Sequence, residues 1–189
     1  LEPVNKVEVG AEVSGRIVAI EVDYNDPVTV GQVLARIDTT ELEAQRTQAL
    51  ARLQAAEAQV QTAKATLTEA RNRKDRAEEL IQRNAISQAT LDEAVAGHTR
   101  AVAGLEAANA DVAVAKAQLA AVESNIEKAI VRSPIDGVVV DRQVNVGQPV
   151  AASLQAATLF VIAQDLSRLQ ANITVDEAEI GEVDEGMAV

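Results

Sequence analysis

Three side chains near the middle of the chain have the types and spacing of a small binding surface. Arg76 and Leu80 are four residues apart, and Ser87 follows in a short break between two long patterned stretches. Residues four apart share one face of a helix, so a guanidinium with several donors would stand beside an apolar contact. Ser87 could cap the next helix or bind a partner's backbone. From spacing alone, the favoured interpretation is a solvated Arg, a half-buried Leu and an N-cap.

No comparable set of residues indicates catalysis or metal binding. The chain has no cysteine, which excludes thiolate metal sites and disulfides. The single histidine, His98, falls within a helical repeat, where we interpret it as a packing residue. No Gly-rich phosphate loop or nucleophile motif is present, and no carboxylate pair lies in an apolar run. We therefore expect no enzyme activity, no cofactor and no metal site.

Composition limits the classes of protein further. The formal net charge is −12 and Lys and Arg are not clustered, which argues against nucleic-acid binding. Aromatic residues make up only 1% of the chain, so one large globular core is not expected. No apolar run approaches the length of a membrane-spanning helix. The opening residues do not form a signal peptide, so we expect any anchoring segment to lie outside this sequence.

Residues 39–129 repeat every seventh position in two arms. Small and large residues alternate along the first arm at Ala49, Leu53, Ala56, Val60, Ala63, Leu67, Ala70, Lys74, Ala77 and Ile81. Along the second arm they alternate at Leu91, Ala94, His98, Ala101, Leu105, Ala108, Val112, Ala115, Leu119, Val122, Ile126 and Ala129. This heptad pattern predicts two helices, 40–83 and 88–129, and the short connection makes them antiparallel. The sequence therefore predicts a two-helix coiled coil whose large residues face each other across the seam.

The segments that flank this hairpin, residues 7–38 and 130–165, are predicted to be two similar halves built of β-strands. Both alternate apolar and polar residues between turn signals, and they align with each other at a constant offset. When the two halves are aligned, Asn25 matches Gly147 at the apex of a turn. A positive φ is expected there, and Asn tolerates a positive φ better than any residue except Gly. Neither half could bury much apolar surface by itself. We therefore expect the two halves to form one small sandwich of the lipoyl or biotinyl type. Residues 1–6 and 166–189 predict part of a further β-barrel domain.

This order of segments resembles the membrane fusion proteins, the HlyD-type periplasmic adaptors. Residues 9–17 (VGAEVSGRI) and 30–38 (VGQVLARID) resemble the family's first lipoyl half. Residues 130–139 (IVRSPIDGVV) are similar to its return strand, and 173–178 (ITVDEA) resemble the opening of its barrel. The chain is most similar to the macrolide-exporter (MacA-type) branch. The resemblance implies an α+β fold: a lipoyl-like sandwich split by an α-helical hairpin, plus part of a β-barrel.

The resemblance also implies a function for the hairpin. Adaptors that dock on TolC-like outer-membrane channels carry Arg, Leu and Ser at the spacing of Arg76, Leu80 and Ser87. By resemblance, these three residues would dock on the channel at the hairpin tip. The family further implies an inner-membrane transporter, with an ABC type favoured and an RND type possible. It also implies a homo-oligomer, typically a hexameric ring, and a periplasmic location with anchorage to the inner membrane.

Two other functions fit parts of the pattern. A lipoyl or biotin carrier needs a lysine at a hairpin apex, and neither β half contains any lysine between residues 7 and 38 or 130 and 165. A coiled-coil scaffold without a transport role would not need the two-part β base. We expect an adaptor gene to lie beside a transporter gene, which would distinguish the adaptor from both alternatives.

Overall fold

The computed structural model describes residues 2–3, 5–152, 158–164 and 169–170. Within these ranges the elements are β1 (Glu2–Pro3), β2 (Lys6–Gly10), β3 (Gly15–Ile20), β4 (Pro27–Val28), β5 (Val33–Ile37), α1 (Thr40–Gln82), α2 (Gln88–Lys128), β6 (Ile130–Arg132), β7 (Gly137–Arg142), β8 (Pro149–Val150), β9 (Thr158–Ala163) and β10 (Leu169–Gln170). The described chain divides into two compact units, one helical and one built of strands. The predicted mixture of sheet with a long helical hairpin is therefore confirmed.

The helical unit, Thr39–Lys128, contains α1 and α2. Thr39 starts the first helix: its carbonyl accepts from the backbone N–H of Glu43 at 2.8 Å. The Thr39 hydroxyl also donates to the Glu43 carboxylate at 2.9 Å, which places acidic charge beside the positive helix end. Each helix ends one residue earlier than its heptad pattern indicates.

Burial follows the predicted seam. The buried helical residues are Ala49, Val60, Ala77, Ala101, Ala108 and Val122. All six lie in the predicted rows, and the other members of those rows within α1 and α2 are half-buried, Lys74 and His98 included. The small residues allow the two backbones to approach while the larger ones interdigitate. The face through which the helices pack is therefore the predicted one.

The strand unit contains two four-stranded antiparallel sheets, each with two strands from either side of the hairpin. The first sheet has the order β2-β9-β7-β4 and the second the order β6-β5-β3-β8. The short strand β4 pairs with β7 of the other half, and β8 likewise pairs with β3. Neither half forms a complete sheet alone, because each supplies the edge strands of the other.

The two halves repeat each other in register. Ile17 pairs with Ile37 in the first half and Val139 pairs with Ile162 in the second, and a bulge follows each pair at the same place. The fully buried side chains come from both sheets and include Phe160, Ile17, Leu34, Ile162 and Val139. The internal repeat that the sequence predicts is therefore visible in the pairing of the strands.

The predicted turn apices have the expected backbone. Asn25 has φ 68° and Gly147 has φ 86°. In each turn a side chain three residues on accepts a backbone N–H: Asp26 accepts from Asp23 at 2.7 Å and Gln148 from Asn145 at 3.0 Å. The substitution of Asn for Gly at this apex is thus explained by its tolerance of a positive φ.

The predicted partial barrel falls mostly outside the described residues. Of residues 1–6 and 166–189, the strand Glu2–Pro3 pairs antiparallel with Leu169–Gln170. The strand β2 begins at Lys6, one residue before the predicted start of the β base, and pairs with β9.

Candidate docking surface at the loop end of the hairpin

The connection between the helices is a tight turn built around Asn84. The Ala85 N–H donates to the Leu80 carbonyl and the Asn84 N–H to the Ile81 carbonyl, both at 2.9 Å. Asn84 has φ 54°, so the two bonds and this left-handed residue form a Schellman cap. The cap ends α1 abruptly and holds the Leu80 backbone in a defined position.

Ser87 begins the second helix. Its hydroxyl oxygen accepts from the Thr90 N–H at 3.2 Å and lies 2.9 Å from the Thr90 hydroxyl. Ser87 is therefore the N-cap that its position in the sequence indicated. The side chain is exposed, so its hydroxyl faces solvent while it caps.

Arg76 and Leu80 are both exposed on the last turns of α1. Leu80 retains 40% of its accessible surface, so its side chain is available to a partner. The neighbouring cations are paired: Arg73 contacts Glu69 at 2.6 Å and Lys74 contacts Glu78 at 3.3 Å. No acidic side chain in the described part of the chain pairs with Arg76. The structure thus brings an unpaired guanidinium, an exposed Leu and the Ser87 hydroxyl to the loop end of one unit.

An ion pair joins the two helices at the end of the hairpin away from the loop. Arg46 of α1 contacts Glu123 of α2 at 3.2 Å. Arg46 lies one heptad before Leu53, and its exposed side chain reaches across to the other helix. This bridge indicates which levels of the antiparallel helices lie side by side, and by that count Leu67 lies within about one turn of Leu105.

A groove of about 780 Å³ lies on one side of the hairpin near its loop end. Its walls include Thr66 and Arg73 of α1 and Gly97, Arg100 and Gly104 of α2. No prediction from the sequence included this groove. The available signal was the pair of glycines one heptad apart, the only glycines in either helix.

No group of three His, Cys, Asp or Glu side chains in the described ranges could hold a metal ion. None of the described helices is apolar over a length that would span a membrane.

One electrostatic cluster links the two turns of the strand unit. Arg142 donates through Nε to Asp23 Oδ1 at 3.1 Å and through Nη1 to the Val144 carbonyl. The Tyr24 backbone N–H and then the Arg142 guanidinium hold the pKa of the Asp23 carboxyl below its ordinary value. The sequence did not identify Arg142 as a linking residue, because a long side chain can bond to any of several nearby acceptors and its sequence position does not show which.

The family can now be identified from a comparison of the chain with known proteins. Residues 5–163 match the model of the RND membrane fusion protein barrel-sandwich hybrid domain. This chain belongs to the membrane fusion protein family. The resemblance to this family that was drawn from the sequence motifs is therefore confirmed.

Individual members of the membrane fusion family extend the match to nearly the whole chain. The Macrolide export protein MacA of Yersinia pestis is 34% identical over 187 residues, 99% of this chain and 50% of that protein. The efflux pump periplasmic linker BepD of Brucella suis is 31% identical over 95% of this chain and 41% of its own length. The chain thus spans about half the length of the MacA relative and less of BepD.

A solved structure agrees with this similarity. The crystal structure of MacA from Actinobacillus actinomycetemcomitans matches 86% of this chain and 50% of that one, with a TM-score of 0.82 and 30% identity. The chain is therefore similar to MacA both in sequence and in fold.

Proposed function

We propose that this chain is part of a periplasmic adaptor that couples an inner-membrane transporter to a TolC-like outer-membrane channel and catalyses no reaction. The observation that carries the proposal is the exposed set Arg76, Leu80 and Ser87 at the loop end of the hairpin. None of the three is needed to fill the helix seam. Similarity to MacA and to the linker BepD supports the same role.

The docking chemistry follows from the hydrogen-bonding groups and the apolar surface that each side chain leaves exposed. The planar Arg76 guanidinium offers paired donors to a carboxylate or to backbone carbonyls of the channel. Leu80 loses exposed apolar surface when a partner covers it, which favours association. Ser87 keeps hydrogen-bonding capacity beyond its cap, since a hydroxyl both donates and accepts. A rigid Schellman turn pre-organises these groups and lowers the entropy cost of binding.

The strand unit serves in this proposal as a lipoyl-like sandwich, split by the hairpin and used as a base. The interleaved sheets and the repeated pairing of the halves support that fold. The turn apices carry Tyr24-Asn25 and Val146-Gly147, where a carrier would present a modified lysine. With no amine there, a lipoyl or biotin group has no attachment point, so the base is structural.

The transporter partner is an inner-membrane pump, with an ABC type favoured over an RND type. Similarity to proteins named for macrolide export favours the first, while the matched family model, named for RND systems, keeps the second open. With either type of transporter, the adaptor lies in the periplasm.

Several copies, typically six, form a ring in this proposal, and the outer faces of the hairpin support side-by-side packing. Exposed alanines repeat every seventh residue at Ala44, Ala51, Ala58, Ala65, Ala96, Ala103, Ala110 and Ala117. In the stretch 44–65 the charged residues all lie at or beside the seam, and the outward face has none. A water-exposed coiled coil normally carries its charges outward. An uncharged, small-residue face on the first helix suits the helix of a neighbouring copy, and contacts between two different faces close into rings.

Cross-linking in cells tests the adaptor role directly. A photoreactive residue at Ala85, in the loop, should trap the outer-membrane channel in the full-length protein expressed with its transporter. The matched position is Thr68, on the first helix but outside the loop and outside the groove. A coiled-coil scaffold without a transport role would give no channel adduct from Ala85. That result, with the protein present at normal levels, would reject the proposal.

A further inference from the structure

The loop end of the hairpin is positively charged, although the chain as a whole is acidic. Residues 80–91 form the last turn of α1, the connection and the first turn of α2, and Arg83 is the only charged residue among them. The first turn of α2 contains no acidic residue, so nothing offsets the positive end of its dipole. The net charge of the whole chain is −12. This contrast favours an acidic partner at the loop end.

Arg83 continues the face of α1 that carries Arg76 and Leu80. It directly follows the last residue of the helix, and its φ of −92° and ψ of 7° keep the backbone close to the helical path. Its N–H donates to the Leu80 carbonyl at 3.2 Å, which ties it to the last turn. Residues four and seven apart share one helix face, so the three form a stripe with the leucine in the middle. The two arginines are rooted about 10 Å apart.

The two arginines of this stripe are the unpaired cations of their region. Three neighbouring cations each contact an acid four residues away, as Arg71 with Asp75 at 3.9 Å, Arg73 with Glu69 and Lys74 with Glu78. Arg76 and Arg83 are exposed, and neither pairs with an acidic side chain in the ranges that the structure describes. The stripe therefore leaves two guanidiniums available on either side of an exposed leucine.

Glu79 is the acid best placed in sequence to pair with these arginines. It lies three residues after Arg76 and four before Arg83, the spacings at which charges meet on a helix. Its side chain is exposed and contacts neither guanidinium. An exposed ion pair of this kind contributes little stability, so it competes weakly with a partner that brings a fixed carboxylate.

A second copy of this chain does not supply the acceptor in the proposed ring. Copies related by one rotation axis all reach the same level, so each loop end lies beside other loop ends. Residues 80–91 of a neighbouring copy bring another Arg83 and no carboxylate. Like charges repel each other. The acceptor must come from the structure that receives the loop ends, which in the proposed function is the outer-membrane channel.

We propose that Arg83 is a second docking arginine, which binds a carboxylate of the outer-membrane channel about 10 Å from the group that accepts from Arg76. A guanidinium forms two parallel hydrogen bonds with a carboxylate. Burial of Leu80 between the two contacts excludes water from both and strengthens them. This inference rests on the proposed function, and it adds the chemistry that the channel must present to the tip.

Variants of Arg83 test this contact through the photoreactive residue at Ala85, in the full-length adaptor with its transporter and channel. Arg83→Gln should lower the yield of channel adduct about tenfold, the change that corresponds to about 1.4 kcal/mol. Arg83→Lys keeps the positive charge and should recover most of the yield. Arg71→Gln removes the same charge from an exposed arginine nine residues before Leu80, on the opposite side of the helix, and should leave the yield unchanged.

The other outcomes separate this inference from the proposed function. A channel adduct in wild type that Arg83→Gln leaves undiminished would overturn the second docking arginine and leave the adaptor role intact. The absence of any channel adduct in wild type would reject the proposed function, and this inference with it. A yield from Arg83→Lys as low as that from Arg83→Gln would overturn the carboxylate as the group that Arg83 binds. Adducts from Ala85 to a second copy in place of the channel would also overturn the inference.

Salt dependence separates docking from a role of Arg83 in the helix itself. A cation at the C-terminal end of a helix is favourable, so Arg83 has a structural alternative. Contacts between charges at a surface weaken as ions screen them. With purified full-length adaptor and channel, the ratio of Kd between Arg83→Gln and wild type should shrink from about 0.05 to 0.5 M salt. The two thermal unfolding midpoints should agree within about 2 °C. A lower midpoint for Arg83→Gln, with a Kd ratio that salt leaves unchanged, would assign Arg83 to the helix end and overturn its docking role.

Discussion

Ile17 and Val139 occupy the same position in two repeated halves, and each is held by the turn of the other half. The Ile17 N–H donates to the Gln148 carbonyl at 3.0 Å, and the Val139 N–H donates to the Asp26 carbonyl at 3.0 Å. Both side chains are fully buried. Because each half completes the other, the strand unit forms only when the chain on both sides of the hairpin comes together.

Two equivalent glycines should differ in their tolerance of a methyl group. At Gly137 an added Cβ would collide with the backbone carbonyl of Ala163, whereas at Gly15 it would meet the side-chain methyl of Ile37. A side chain can shift and a paired strand cannot. We expect Gly137→Ala to cost about 1–3 kcal/mol in the free energy of unfolding and Gly15→Ala clearly less. Urea denaturation of both variants measures this, and equal losses would contradict the geometry.

The sequence predicted those parts of the fold that depend on local periodicity. The heptad rows identified the buried face down to single residues such as Val60 and Ala108, because a helix repeats its environment regularly. The positive φ at Asn25 was predictable from its alignment with Gly147. Such features require only neighbours in the chain.

Strand pairings and side-chain contacts between residues far apart in sequence were not predictable in the same way. The exchange of β4 and β8 between the halves depends on which sheet edge each short strand meets, and two-residue strands carry no register signal. The exposure of Arg76, Leu80 and Ser87 agrees with the pattern, but their role as a docking site stays a prediction. The Arg142 contacts link residues far apart in sequence, so only the assembled strand unit reveals them.

Acid should remove the stabilisation that Asp23 contributes. Its carboxylate accepts from the Tyr24 N–H at 2.8 Å and from Arg142, and both lower its pKa from 3.8. A depressed folded pKa contributes stability above the unfolded pKa, and that contribution is lost as pH falls through the folded value. The difference in urea midpoint between wild type and Asp23→Asn should therefore be constant from about pH 7 to 5 and shrink below 3.8. A difference that disappears before pH 5 is reached would point to another titrating group.

Truncation of one seam residue should weaken the hairpin measurably. Leu67 is half-buried between the helices, so Leu67→Ala should lower the free energy of unfolding by about 2 kcal/mol, the low end for a core leucine. Thr68→Ala, on the exposed neighbour, is the control and should change it by about 0.5 kcal/mol or less. Chemical denaturation followed by circular dichroism gives both values. Equal effects at the two positions would mean that the seam is not the stabilising face.

The alanine row on the outside of the first helix should matter to assembly and not to folding. Ala58→Glu places a charge in the proposed contact between copies, while Asn72→Glu changes a residue of the same row that is already polar. Both positions are exposed, so each variant should unfold within about 0.5 kcal/mol of wild type. Native mass spectrometry of the full-length protein should show loss of the ring for Ala58→Glu alone. An intact ring in that variant would remove the alanine row from the interface.

Charge reversal at the tip tests the central claim most directly. Arg76→Asp should leave the fold nearly unchanged, since Arg76 is exposed and makes no ion pair, but it should repel the acceptors on the channel. Arg52→Asp is the matched control, an exposed arginine of the same helix far from the loop. With the native transporter and channel in cells, and with equal protein levels, export and cross-linking of the tip to the channel should fall sharply for Arg76→Asp and stay normal for Arg52→Asp. Normal export and cross-linking by Arg76→Asp, with Leu80 and Ser87 replacements equally silent, would contradict docking through the tip.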